Sequence, residues 1–245
     1  MFRTILIILL LLCSSAGSVA SPALNQPDSI GSDACVDYKF RPTQVVIPAM
    51  LFTVGAIGIN EDWRILERRY WESNVASDIL RVVPNAGFVG LGLVGVKARH
   101  TFTERMLLEF TGSVVMGLFT RTLKACVSEE RPNRMRLNSF PSGHTAYAFL
   151  GAELLRLEYG MAWGLGAYAF ATVTGYLRMR SGYHFLNDVL AGAGIGIFAA
   201  RAAMWLLPLE QKLLGWDSKS SFRVAVLPEY TPQTQSVGAS FSMSF

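Results

Sequence analysis

Histidine, cysteine and charge are all scarce in this chain. Among 245 residues there are three histidines and three cysteines, and only 16% of residues are charged. No run of Lys and Arg interleaved with aromatics appears, which makes nucleic acid the weakest candidate among anionic partners. Alternation of period two is absent through the body of the chain, so half-buried strands are not expected there. Uninterrupted apolar runs of about 20 residues, the length of a full membrane span, are also missing. What the chain does have is 51% hydrophobic residues and a mean hydropathy of +0.32. That balance fits a helical protein buried in or lying on a membrane without excluding a soluble one. A net charge of +4 and a pI near 9.1 favour anionic lipid and phosphate esters. The length allows one sizeable domain with short appendages.

The chain divides into four parts. Arg3, the apolar run Ile5–Leu12 and Ser18-Val19-Ala20 have the layout of a secretory signal peptide over 1–20, cleaved near Ala20. Cys13 follows Leu12 directly, without the small residue expected before a lipoprotein cysteine. Export leaves Cys35 and Cys126, which are either a disulfide or two unrelated thiols. Residues 21–42 form a polar arm. Six apolar stretches then predict an all-α six-helix bundle, membrane-embedded or membrane-associated, over 43–207. They run about Thr43–Ile59, Val82–Val96, Arg105–Val127, Gly143–Leu157, Met161–Met179 and Leu186–Leu207. Gly192 and Gly196 have the small-xxx-small spacing that lets helices approach closely. The tail, 208–245, changes character, and its alternating residues from Val237 to Phe245 suggest a terminal β-hairpin.

Three short elements carry the candidate chemistry. They are Lys124 to Arg131-Pro132, then Pro141-Ser142-Gly143-His144, then Arg178 through His184 to Asp188. If the helices alternate up and down, all three meet at one end of the bundle. Lys124, Arg131 and Arg178 suit the non-bridging oxygens of a phosphate. Ser142 and Gly143 lie where a helix begins, so unpaired N–H groups favour an anion there. His184 and Asp188 are four apart on one helical face. The carboxylate can bind one ring nitrogen and leave the other as nucleophile. His144 is then placed to protonate a departing alkoxide. Taken singly, each residue is more simply a solvated charge or a turn, and Glu129 and Glu130 are most simply surface residues. His100, in the basic loop Lys97-Ala98-Arg99-His100, receives no catalytic role. A metal site of His144, His184 and Asp188 is disfavoured because three cations would repel a divalent ion. No cofactor is expected.

These elements resemble the three-part signature of the PAP2 superfamily: Lys-x6-Arg-Pro, Pro-Ser-Gly-His and Ser-Arg-x5-His-x3-Asp. Every spacing over 124–188 agrees, and the one departure is Leu177 where the family has serine. The resemblance implies phosphoryl binding by Lys124, Arg131, Arg178, Ser142 and Gly143, attack by His184, orientation by Asp188 and proton transfer by His144, without metal. It implies a phosphatase acting on an envelope lipid, among lipid A, phosphatidylglycerophosphate, phosphatidate and undecaprenyl pyrophosphate; the basic loop 97–100 and the arm, suited to a sugar-phosphate headgroup, favour lipid A. The active site would face the periplasm, in the inner membrane or associated with it. A soluble periplasmic acid phosphatase and a vanadium haloperoxidase share the signature and stay open as alternatives.

Overall fold

The computed structural model describes residues 38–59 and 75–215, together with the backbone of 223–231 and 236–244. The signal peptide, most of the arm and Cys35 lie outside the described residues. Seven helices and one hairpin are described: α1 (Thr43–Ile57), α2 (Val75–Leu80), α3 (Val83–Gly90), α4 (Phe102–Cys126), α5 (Gly143–Tyr159), α6 (Met161–Arg180), α7 (Leu186–Leu213), β1 (Arg223–Thr231) and β2 (Ser236–Ser244). The architecture is all-helical, and each of the six apolar stretches carries a helix. The strands pair antiparallel from Arg223 opposite Ser244 to Thr231 opposite Ser236.

One stretch needs correction. Val82–Val96 does not make a single helix. It holds the eight-residue α3, which ends at Gly90, and then turns over 91–95 that close on Gly95 at φ +91°. The additional short helix α2 precedes it.

Local signals account for two other boundaries. Thr101 and Glu104 cap α4 reciprocally, each side chain accepting from the other's backbone N–H. Between α5 and α6 the chain reverses through Gly160 alone, at φ +94°, a conformation that costs other residues a steric clash.

Helix α7 is central and packs against α1, α4 and α5. Its approach to α5 is close enough to exclude side chains. A Cβ on Gly196 would lie 2.2 Å from the Ala146 carbonyl oxygen, and one on Gly192 would lie 2.5 Å from that of Ser142. The small-xxx-small pair therefore brings the starts of α5 and α7 together. Around this contact Phe88, Leu108, Leu150, Leu154, Ala200 and Leu207 form a buried apolar core.

Two buried carboxylates of α5 are paired. Glu153 of α5 is buried and binds Arg156, Arg201 of α7 and the Tyr168 hydroxyl of α6. Near the other end of α5, Glu158 accepts from the backbone N–H of His100 at 2.7 Å and sits 2.5 Å from its ring Nδ1. The Tyr38 hydroxyl lies 3.0 Å from the second ring nitrogen. His100 is thus bound into the fold far from the three motifs.

Candidate active site

The three motifs meet at one end of the bundle. Helix α4 delivers Lys124 in its last turn, the loop 127–142 crosses to the start of α5, and α6 returns with Arg178 in its own last turn. The turn 181–185 then leads into α7. Backbone bonds knit the loop to that turn. The Asn133 N–H donates to the Gly182 carbonyl, and the Ser142 N–H donates to the Asp188 carbonyl at 3.0 Å.

Asp188 is the third residue of α7, a place where a carboxylate commonly caps a helix, and it does so by accepting from the Phe185 N–H at 2.8 Å. The same oxygen, Oδ2, takes the Ser139 hydroxyl at 2.5 Å and lies 3.3 Å from His184 Nδ1. His184 is buried, with its Nδ1 edge turned to the carboxylate. Burial, then the nearby charges of Lys124, Arg178 and Arg131, hold its pKa well below the ordinary value near 6.5. The imidazole is therefore neutral at pH 7.

The cations surround it closely enough to perturb one another. Lys124 Nζ donates to the carbonyls of Asn138 and Ser139, at 2.8 and 3.3 Å. Burial and the charge of Arg131 lower its pKa to about 8. Arg131 and Arg178 share the ring of Tyr183, at 5.6 and 4.3 Å from its centroid. The Nε of each guanidinium is buried without a protein partner. Beside them, Ser142 precedes the first turn of α5, and its hydroxyl meets that of Thr145 rather than a backbone N–H. Space is open where a side chain on Gly143 would project. Spare donors, positive charge and free volume coincide, the requirements of an oxyanion site.

His144 points elsewhere for its partner. Its Nε2 lies 2.7 Å from Asp78 Oδ1 on α2. Its pKa is lowered to about 4, by burial first and the Arg178 charge second, with Asp78 acting in the opposite direction. Among the described residues no three His, Cys, Asp or Glu side chains form a metal-ligand group.

All eight residues singled out from the motifs thus lie in or at the edge of this cluster. Sequence reasoning missed Ser77, Asp78, Ser139 and Tyr183, and it misjudged Glu129. Glu129 is buried, not on the surface, and accepts from the Asn187 side chain at 3.0 Å; its neighbour Glu130 is exposed. The only available signal for Tyr183 was its place beside His184. Asp78 and Ser77 lie over sixty residues from their partners and left none.

Known proteins give the site its context. Residues 106–212 match the sequence model of the PAP2 superfamily. A lipid A 1-phosphatase of Porphyromonas gingivalis is 30% identical over 182 residues, covering 70% of this chain and 41% of that protein. The bacitracin transport permease protein BcrC of Bacillus licheniformis is 30% identical over 135 residues, 49% of this chain and 66% of its own. The chain therefore spans less than two thirds of either relative. The crystal structure of Aquifex aeolicus LpxE aligns at 20% identity with a TM-score of 0.41, covering 69% of this chain and 89% of that one.

Proposed function

From the match of residues 106–212 to the PAP2 superfamily, we propose that this chain is a member of that family and hydrolyses a phosphate monoester of an envelope lipid through a phosphohistidine. The observation that carries the reading is His184, buried, held by Asp188 on one edge and flanked by Lys124, Arg131 and Arg178, which with burial lower its pKa. With Nδ1 turned to Asp188, Nε2 is the nitrogen left to attack phosphorus. As the N–P bond forms, the bond from phosphorus to the lipid oxygen breaks and His144 gives that oxygen a proton. Water then attacks phosphorus, the N–P bond breaks, and His144 takes the proton from the water. Lys124, Arg131, Arg178 and the first turn of α5 stabilise the equatorial oxygens throughout.

The substrate class is read from the surface. Large apolar side chains are exposed on α1, α4, α6 and α7, among them Ile47, Phe110, Leu118, Leu165 and Leu213. Such an apolar surface suits acyl chains better than water. By length and composition α7 alone among the described helices could cross a membrane, and two thirds of its apolar window is buried inside the bundle. The similarity to a lipid A 1-phosphatase makes lipid A the first substrate to test. The exported N-terminus read from the sequence favours a catalytic end on the periplasmic face.

The experiment is rapid-quench trapping with radiolabelled lipid A, phosphatidate and an aryl phosphate. Wild type should accumulate an acid-labile, base-stable phosphoenzyme, and His184→Ala should lose phosphoenzyme and turnover together. Turnover that survives in His184→Ala would overturn the mechanism. An aryl phosphate matching the best lipid in kcat/KM would favour the broad-specificity acid phosphatase.

A further inference from the structure

The short helix α2, outside the stretch matched by the superfamily, reaches the site twice. Ser77 is buried, and its hydroxyl lies 3.5 Å from Arg178 Nη1. Asp78 Oδ1 lies 2.7 Å from His144 Nε2, with the carboxylate about half exposed and the imidazole 24% exposed. The charged groups facing His144 are Arg178 from α6, Arg81 just after α2, and Asp78. Both arginines oppose a proton on the ring, and Asp78 is the carboxylate of this set that favours one.

We propose that Asp78 is the positioning residue of His144: it binds the Nε2–H, turns Nδ1 toward the leaving oxygen and stabilises the imidazolium that precedes proton transfer. This rests on the function proposed above and adds a second histidine–carboxylate pair to it. In the first half-reaction the Nδ1 proton passes to the lipid oxygen as its bond to phosphorus breaks, leaving a neutral ring that keeps the Nε2 proton. In the second, Nδ1 takes a proton from the attacking water as the N–P bond to His184 breaks. Asp78 gains and loses no proton. Its part is that of the aspartate that orients a catalytic imidazole in a hydrolase triad.

The test compares Asp78→Asn and Asp78→Glu with wild type on an alkyl and a p-nitrophenyl phosphate across pH. Asp78→Asn should lose about 10-fold or more in kcat/KM on the alkyl ester, less than the roughly 10²–10⁴-fold of losing the general acid itself, and little on the aryl ester, whose leaving group needs no proton. Asp78→Glu should recover part of the loss. Adding Asp78→Asn to His144→Ala should cost nothing further, because the carboxylate acts through that ring. With only three histidines in the chain, NMR of 15N-histidine-labelled protein reads the His144 pKa directly, and Asp78→Asn should lower it. Equal losses on both esters, or an unmoved His144 titration, would overturn the proposal while leaving the His184 mechanism standing. If wild type hydrolyses neither ester nor any lipid phosphate, the underlying function fails instead.

Discussion

At the scale of single residues, the site works by holding cations where their own charges repel. Lys124 is the sensitive member. Its pKa near 8 means the ammonium is charged below that pH and neutral above it. Phosphate affinity should therefore fall as pH rises through 8, seen as a rising KM with a smaller change in kcat. Lys124→Arg keeps its charge to higher pH, so its KM should stay flat across that range, although its longer fork will weaken binding overall. A KM in Lys124→Arg that rises in parallel with wild type would assign the alkaline limb to another group. The residues visible from sequence are those whose partners are near in the chain. His184 and Asp188 are one helical turn apart, and Arg131 and Pro132 stand at fixed spacing from Lys124. Ser139 reaches Asp188 across 49 residues and Asp78 reaches His144 across 66. No periodicity records such contacts. The missing motif serine at Leu177 is instructive in the same way, because a hydroxyl does reach Arg178, from Ser77 on another helix.

At the scale of helices, polar bonds inside the bundle do what apolar pattern alone could not foretell. The apolar pattern ended the last helix near Leu207, before Pro208. The structure carries α7 on to Leu213, where Glu210 accepts from the Thr111 hydroxyl and Gln211 donates to Glu104, both on α4. Tertiary hydrogen bonds thus hold a turn that proline alone would disfavour. Glu153, a blemish in an apolar stretch by sequence, joins α5, α6 and α7 through Arg156, Tyr168 and Arg201. Removing it strands two guanidinium groups and a buried hydroxyl. Glu153→Ala should cost about 3–5 kcal/mol, the usual loss on breaking a buried ion pair. Denaturant unfolding measures it, and Glu153→Gln should fall between the two. A loss below about 1 kcal/mol, typical of surface pairs, would mean that water reaches the cluster.

At the scale of the whole molecule, the proposal requires the catalytic end to face the compartment that receives exported proteins. Helix α3 has eight residues and rises about 12 Å, well under half of a hydrocarbon core of about 30 Å. By itself it is too short to span that core. Cys126 ends α4, two residues from Lys124, and is exposed. In a Cys35→Ser background a membrane-impermeant maleimide applied to intact spheroplasts should label it, and adding Cys126→Ser should abolish the signal; in the unsubstituted chain, labelling that needs prior reduction would report a disulfide. Labelling that needs a permeabilised inner membrane would put the active site in the cytoplasm and remove envelope lipids of the outer leaflet as substrates.

The clasp between the starts of α5 and α7 governs how this site responds to heat. The Ser142 N–H meets the Asp188 carbonyl, and Gly192 lies directly against the Ser142 carbonyl. These contacts involve main-chain atoms, whose positions do not depend on which rotamer any side chain adopts. Warming that loosens side-chain packing should therefore disturb the spacing between the two helix starts less than it disturbs contacts made by side chains. The proposed anion site should thus behave as a thermally stiff part, lost together with the melting of the bundle.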